Sequence, residues 1–457
     1  MTDGLKPYPA YKDSGVEWLG QVPAHWEMRR LKTICRLTYG DGLAADFRQD
    51  GTVPVYGSNG RVGYHTTANT KAPCIIIGRK GSFGKVNFST DPVFAIDTTF
   101  FIDSRFTSFN LRWLYYLLKS LKLDEVTKDS AIPGLDRSDA YRVLAPLPPL
   151  PEQAAIARFL DYMDRRIWRL IRARQRQIKL LEEYKQALIH QAVTGQIDVR
   201  TGQPYPAYKD SGVEWLGDVP AHWELKPLKR WVRINASVLP DTTPADYEFR
   251  YIDIGSVGTG FLTREPQQLR FSNAPSRARR VLHMGDTIIS TVRTYLKAVY
   301  YVDGDAEALV CSSGFAVLTP GPSTQPKYVS YLVQSNTFTD RVTAESVGTA
   351  YPAIAEGRLG SFYVPIPPLP EQTAIAEYLD AQTARIDAAI EASRREIDLL
   401  REYRTRLISD VVTGKVDVRE VAPQLPEEPP EEEAEWLDME EIAEGETADD
   451  DAAAEAL

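Results

Sequence analysis

Twenty residues of this chain occur twice. YPAYKDSGVEWLGQVPAHWE begins at Tyr8 and returns at Tyr205 as YPAYKDSGVEWLGDVPAHWE, with Gln21 replaced by Asp218. A repeated box implies a repeated structural unit, so it constrains the architecture before any local propensity is consulted. A second pair keeps the same order. PLPPLPEQAAIARFLD from Pro146 returns as PIPPLPEQTAIAEYLD from Pro365, and both run on to a shared ending, AVTGQIDVR at Ala192 and VVTGKVDVR at Val411. The opening boxes are offset by 197 residues and the helical boxes by 219, so the second variable region is longer by 22. Constant segments therefore frame two unequal, dissimilar inserts.

With 457 residues the chain exceeds one ordinary core, and two or three domains are expected. It has no apolar run near twenty residues and no charged-then-apolar leader, so the expectation is a cytoplasmic chain without membrane span or secretion signal. Cys35, Cys74 and Cys311 stand far apart without a CxxC pair, which fits a reducing compartment and buried structural thiols. With five scattered histidines, no metal site is expected. The net charge of −10 hides a division: residues 421–457 hold 15 Asp and Glu and no Lys or Arg, whereas the other 420 hold 53 basic and 48 acidic residues, a balance of +5. The tail is too polar and self-repelling to build a core and is expected to be disordered. The mildly basic body suits a polyanion.

The helical boxes are legible from their period. Pro151 suits a first helical turn and Glu152 its positive end. Apolar residues then recur at Leu160, Met163, Ile167, Leu170, Ile171, Ile178, Leu181, Tyr184 and Leu188, one stripe at about 100° per residue. The second box repeats it with Leu379, Ile386, Ile390, Ile397, Leu400, Tyr403 and Leu407, and Gly195 and Gly414 stand where left-handed caps belong. Each helix is predicted at about forty residues, roughly 60 Å. Apolar on one face only, two such helices are expected to pack on each other as an antiparallel pair; separate packing on their own domains is the alternative. The variable regions read as mixed α/β, with β-branched runs punctuated by glycine and then a short helix, NLRWLYYLLKSL at Asn110 and KYVSYLVQS at Lys327.

No catalytic constellation is found: no GxxxxGK[ST], HExxH, GxSxG or Asp-Pro-Pro-Tyr type of motif. A nuclease or methyltransferase acting unaided is therefore disfavoured. Binding has more to stand on. GRKGSFGK sets Arg79, Lys80, Ser82 and Lys85 among glycines, as a backbone approaching phosphate would need, or as a glycine-rich hairpin turn would. Just before it, YGSNGRVGYH offers Ser58, Asn59, Arg61 and His65 for base edges or phosphates. The second region concentrates Arg270, Arg277, Arg279 and Arg280, followed by Arg293 and Lys297. Residues 165–179 hold seven basic residues and no acidic one, with Arg165, Arg169, Arg172, Arg176 and Lys179 along one helical face; a solvated face is the ordinary reading, contact with DNA or an acidic partner the other.

The doubled SGVEWLGxVPAHWE boxes, the PLPPLPEQ and PIPPLPEQ segments and the VTGxxDVR endings together resemble the specificity subunits of Type I restriction-modification systems, over essentially residues 5–420. That resemblance implies a mixed α/β fold: two α/β target-recognition domains separated by two long helices packed as an antiparallel coiled coil, with a pseudo-twofold internal repeat. The division expected is 1–150 for the first recognition domain with its opening box, 151–200 for the first spacer helix, 201–369 for the second domain, 370–420 for the second helix and 421–457 for the acidic tail. The coiled-coil positions are Leu160, Ile167, Ile171, Ile178, Leu181, Leu188, Leu379, Ile386, Ile390, Ile397, Leu400 and Leu407. The resemblance further implies a non-catalytic subunit whose two domains, about 28–145 and 225–364, each read half of a bipartite duplex target. Its partners would be double-stranded DNA, two DNA N6-adenine methyltransferase subunits and motor-endonuclease subunits. The chain itself would bind no cofactor; S-adenosylmethionine, ATP and magnesium would sit on the partners. The repeated box, with Trp18, Trp26, Trp215 and Trp223, reads as core packing that roots each domain on the scaffold; that it also faces the methyltransferase is the alternative. A coiled-coil adaptor without sequence-specific DNA contact is the competing reading.

Overall fold

The computed structural model describes residues 5–125 and 134–426; the acidic tail from residue 427 and the segment 126–133 lie outside them. Two compact units divide the chain, Met1–Gln175 with Arg394–Leu457, and Arg176–Ser393. No helix among the described residues is long and apolar enough to cross a membrane.

In the first unit the opening box forms the hairpin β1 (Tyr11–Asp13) and β2 (Gln21–Pro23). There follow β3 (Glu27–Arg30), α1 (Leu31–Ile34), β4 (Thr38–Tyr39), β5 (Val53–Gly57), β6 (Gly60–His65), β7 (Cys74–Gly78), β8 (Val86–Ser89), β9 (Phe94–Ala95) and β10 (Thr99–Asp103). The all-buried runs CIIIG and TFFID make the centre of an antiparallel sheet ordered β4-β10-β7-β8, and a smaller sheet is ordered β6-β5-β9 with β9 parallel to β5. Helix α2 (Leu111–Ser120) starts where the Asn110 side chain accepts the Trp113 amide and buries Trp113, Leu114, Tyr115 and Tyr116. Then α3 (Arg137–Arg142) and β11 (Leu144–Leu147), paired with β3, lead into α4 (Leu150–Thr194).

The second unit repeats the plan. β12 (Tyr208–Asp210) and β13 (Asp218–Pro220) form the box hairpin, followed by β14 (Glu224–Pro227), β15 (Val232–Ile234), β16 (Glu248–Ile252), β17 (Gln267–Arg270), β18 (Ala278–Val281), β19 (Thr287–Ser290), β20 (Val299–Tyr301), β21 (Leu309–Ser312) and β22 (Phe315–Pro320). The sheet β15-β22-β19-β20 answers β4-β10-β7-β8, and β17-β16-β21-β18 answers β6-β5-β9 with one strand added. Helices α5 (Pro326–Gln334), α6 (Asn336–Ala344) and α7 (Glu356–Gly360), then β23 (Tyr363–Ile366) paired with β14, precede α8 (Leu369–Val412).

The repeated box is built around a buried carboxylate in the first turn of a long helix. In the first unit Glu152 accepts from the Trp26 indole N–H at 2.9 Å and the Tyr8 hydroxyl at 3.3 Å, and lies 2.7 Å from His25 Nε2. In the second, Glu371 meets Trp223 at 2.9 Å, Tyr205 at 3.3 Å and His222 at 2.9 Å. The adjoining Gln153 and Gln372 donate to Pro148 and Pro367 carbonyls and accept the Asn110 and Gln325 amides. The other long helix ends against the same box. Gly414 at φ +78° would place a Cβ 2.3 Å from Pro23, and Gly195 at φ +75° one 2.4 Å from Pro220, so only glycine fits. The boxes thus tie the start of α4 to the end of α8 in one unit, and the start of α8 to the end of α4 in the other.

The long helices run antiparallel in each unit. Asp164 and Arg404, both buried, share two bonds of 2.9 Å, Arg174 reaches Glu396 at 2.8 Å, and in the second unit Lys185 reaches Asp387 at 2.7 Å. Leu160, Ile167, Ile171, Leu379, Ile386, Ile390, Ile397 and Leu407 are buried, whereas Ile178, Leu181, Leu188 and Leu400 are half-buried. Tyr184 of the expected stripe is 54% exposed, because it lies on the flank of a seam that one partner helix can cover only in part. The box tryptophans also divide. Trp26 and Trp223 are fully buried, Trp215 packs edge-on against Phe338 of α6, and Trp18 is 53% exposed.

Replacing Glu152 or Glu371 by Ala strands a buried indole N–H and should cost about 2–3 kcal/mol in chemical denaturation of the full chain. Asp164→Ala, which leaves Arg404 buried without its carboxylate, should cost about 3–5 kcal/mol, against under about 1 kcal/mol for Glu396→Ala at the exposed pair. Equal effects at the two pairs would contradict this ranking.

Candidate nucleic-acid interface

The first unit brings its two polar motifs together. Ser58 and Asn59 make the turn between β5 and β6, and Arg79, Lys80, Ser82 and Lys85 lie on the loop between β7 and β8. Lys85 Nζ donates to the Asn59 carbonyl at 2.9 Å and to its side-chain oxygen at 3.3 Å. A Cβ on Gly78 would lie 2.2 Å from the Ser82 carbonyl oxygen and 2.8 Å from that of Ser58, so the glycine is what allows the loops to touch. The amides of Gly78, Phe83 and Gly84 bond to Lys85, Gly81 and Gly78 within the loop. It is a glycine hairpin whose Phe83 and Gly84 amides bond within the turn, while those of Arg79 and Lys80 donate to the Thr98 carbonyl. Lys80 and Ser82 are exposed at its tip.

Arg61 and His65 fare differently. Arg61 lies over the Tyr64 ring, its Cζ 5.7 Å from the centroid. His65 Nδ1 accepts the Gln49 amide at 3.1 Å while its ring meets Phe94 edge-on at 5.6 Å, so much of this side chain serves the fold.

Arg79 sits on a tyrosine that sequence reading passed over. Its guanidinium lies 5.0 Å from the Tyr39 ring centroid, and Arg137, the first residue of α3, lies 4.7 Å from the same ring. Tyr39 is 43% exposed. The signal available was Arg137, within the segment that precedes the helical box, but its partner stands 98 positions earlier.

In the second unit the candidates fall on two elements. Arg270, Arg277, Arg279 and Arg280 lie on or beside the sheet β17-β16-β21-β18, and most are neutralised there. Arg270 meets Glu248 at 2.9 Å across the strands, Arg279 reaches Asp241 at 3.7 Å and covers Phe271, and Arg280 is paired with Glu356. Arg277 donates to the Tyr251 hydroxyl at 3.4 Å and is exposed. Arg293 and Lys297 stand on the loop between β19 and β20, both left-handed at φ +54° and +49°. Lys297 pairs with Asp340 at 2.6 Å, while Arg293 lies 4.9 Å from the ring centroid of Tyr351, itself 61% exposed. Tyr351 belongs to VGTAYPAIAEG, the counterpart of the segment holding Arg137.

On α4, Arg169, Arg172, Arg176 and Lys179 are exposed and Arg165 half-buried. The three thiols are buried, and burial pushes Cys35 and Cys74 up to about 12 and Cys311 higher still, so all remain protonated at neutral pH. Among the described residues no group of three His, Cys, Asp or Glu side chains could hold a metal ion.

The sequence matches the family described as Type I restriction modification DNA specificity domain over residues 23–180 and 272–398. It is 26% identical over 315 residues to the Type I restriction enzyme MjaVIII specificity subunit of Methanocaldococcus jannaschii, covering 66% of this chain and 70% of that one. With the Type I restriction enzyme EcoDI specificity subunit of Escherichia coli it shares 25% identity over 389 residues, 80% of this chain and 83% of the relative. The fold matches, with a TM-score of 0.61 at 16% identity, a chain from a solved structure described as the structural basis underlying complex assembly and conformational transition of the type I R-M system, over 86% of this chain and 98% of that one. Two domain matches framing two repeats of one α/β plan place the chain in the Type I restriction modification DNA specificity domain family, among the specificity subunits of type I restriction systems.

Proposed function

We propose that the chain reads a bipartite duplex target, residues about 28–145 contacting one half-site through the major groove and 225–364 the other, with α4 and α8 setting the gap. The chain is a specificity subunit and not an enzyme; catalysis in type I systems lies in other subunits. The observation that carries the reading is one plan executed twice with unlike surfaces. The sheets, helix anchors and box contacts repeat, while the loops at matching places carry Arg79, Lys80 and Lys85 in one unit and Arg293 and Lys297 in the other. A scaffold held constant under two different polar surfaces is what reading two different sequences requires.

The candidate contacts are Ser58, Asn59, Arg61, His65, Arg79, Lys80, Ser82 and Lys85 in the first unit. Those in the second are Arg270, Arg277, Arg279, Arg280, Arg293 and Lys297. Two DNA N6-adenine methyltransferase subunits would dock on the scaffold and motor-endonuclease subunits would join for cleavage, in the cytoplasm. S-adenosylmethionine, ATP and magnesium would be held by those partners. The exposed arginines of α4 would face DNA backbone or an acidic partner surface.

Two experiments test this. Exchanging residues 28–145 for the corresponding region of another specificity subunit, followed by mapping of methylated adenines, should change one half-site and leave the other intact. A change in both would overturn independent reading. Inserting seven residues in each long helix adds about 10 Å, roughly three base pairs, and should lengthen the gap while both half-sites stay the same. An unaltered gap would remove the helices from the measurement.

A further inference from the structure

The basic candidates are not equivalent, and their partners sort them. Arg270, Arg279, Arg280 and Lys297 are each held by a carboxylate of their own unit, and Lys85 is bound to Asn59. Arg79, Arg137 and Arg293 contact aromatic rings instead. Among the described residues none of these three has a carboxylate within ion-pair distance. Stacking on a ring fixes the plane of a guanidinium, and its N–H groups lie in that plane. With Cζ 5.0, 4.7 and 4.9 Å from a ring centroid, these three guanidiniums are placed beside an aromatic face and not by a carboxylate, which favours use of the fork on another acceptor.

The two units place it on corresponding loops, two residues apart. The Arg79 carbonyl accepts the Leu135 amide and that of Thr291 the Ile354 amide, which aligns the start of the β7–β8 loop with the start of the β19–β20 loop. At that start the first unit has Arg79 beside Tyr39, and two residues further along the matching loop the second has Arg293 beside Tyr351, with the Arg293 amide donating to the Pro352 carbonyl at 2.8 Å. Arg137 opens α3, and at the same position Glu356 opens α7 and is occupied by Arg280. The first unit therefore presents two stacked guanidiniums and the second one. Arg293 also holds a left-handed backbone conformation that side-chain-bearing residues disfavour.

We propose that the guanidiniums stacked on Tyr39 and Tyr351 are specificity-determining, each donating two N–H bonds to a paired acceptor edge, O6 and N7 of guanine in the major groove. This rests on the duplex-reading function proposed above. A phosphate offers a similar pair of acceptors, but a phosphate contact needs charge more than a fixed plane. The exposed, flexible Lys80 supplies charge without a plane, whereas half-buried Arg79, Arg137 and Arg293 supply a plane.

The test is selection from random duplexes by the full chain with its methyltransferase subunits, for the parent and for Arg79→Lys, Arg137→Lys, Arg293→Lys and Arg358→Ala. Lysine keeps the charge and loses the fork. Each of the first two variants should lower the preference for one guanine in one half-site by on the order of tenfold, and Arg293→Lys should do so in the other half. Arg358→Ala, at an arginine paired with Glu345 at 2.7 Å and outside the candidate contacts, should leave the selected sequence unchanged, and matching thermal unfolding of all variants keeps the comparison clean. Unchanged sequences in the lysine variants overturn the assignment. So does equal weakening over all sequences by Arg79→Ala with a salt slope reduced by about one, the mark of a phosphate contact. A parent that selects no sequence at all overturns the duplex-reading function itself, a distinguishable failure.

Discussion

The carboxylates of Glu152 and Glu371 are the points on which the rest of the fold is hung. Each is buried, each sits in the first turn of a helix of more than forty residues, and each is met by an indole N–H, a phenol and an imidazole from one box. A carboxylate taken out of water needs such donors, and the unbonded amides of a helix start add positive potential at the same point. Burial and the facing carboxylate push the Tyr8 and Tyr205 hydroxyls above their ordinary range, so both remain donors. Arg419 and Arg200, each locked to the aspartate two residues before it, close the cluster from the far side. The first tyrosine, the histidine and the last tryptophan of each box all have a partner in this arrangement, which is a physical reason for those residues to recur unchanged.

From those points outward the units diverge by degrees. Nearest the anchor the chemistry is still paired: Arg112 and Tyr116 bind Asp161 on α4, and Lys327 and Tyr331 bind Asp380 on α8. Further out the sheets keep their order but not their residues, and most of the extra length of the second insert falls ahead of β19, where β18 joins the smaller sheet. At the loops nothing is shared but position. Constraint falls as distance from the buried carboxylate grows, which leaves the rim free to vary without disturbing the support.

The parts of this gradient that were legible in the sequence are the constant ones. The two boxes, the long helices with Pro151 and Pro370 in their first turns, and the capping Gly195 and Gly414 follow from repetition, period and local backbone rules. Tyr184 was misplaced because period alone does not say how wide a seam the partner helix covers. The basic residues of the rim could be picked out along the chain but not ranked. Arg280 is neutralised by Glu356 and Lys297 by Asp340, 76 and 43 positions away, and Tyr39 joins two arginines that are 58 residues apart. Charge clustering along a chain does not reveal which charges are cancelled in space.

That cancellation bears on how such a protein can discriminate. Phosphate contacts supply affinity in proportion to the charges brought to the backbone, and they do so for every sequence alike. The 420 residues outside the acidic tail carry a balance of only +5, and several of the candidate cations are already satisfied by carboxylates of their own unit. A surface poor in free charge gains little from DNA in general, so what it does gain depends more heavily on the few donors whose direction is fixed. Under the assignment proposed above, that direction comes from the rings of Tyr39 and Tyr351, because a carboxylate partner draws a guanidinium towards its own unit and cancels its charge. On that assignment, low electrostatic attraction and ring-supported donors would act in the same sense, since both raise the share of binding that depends on sequence.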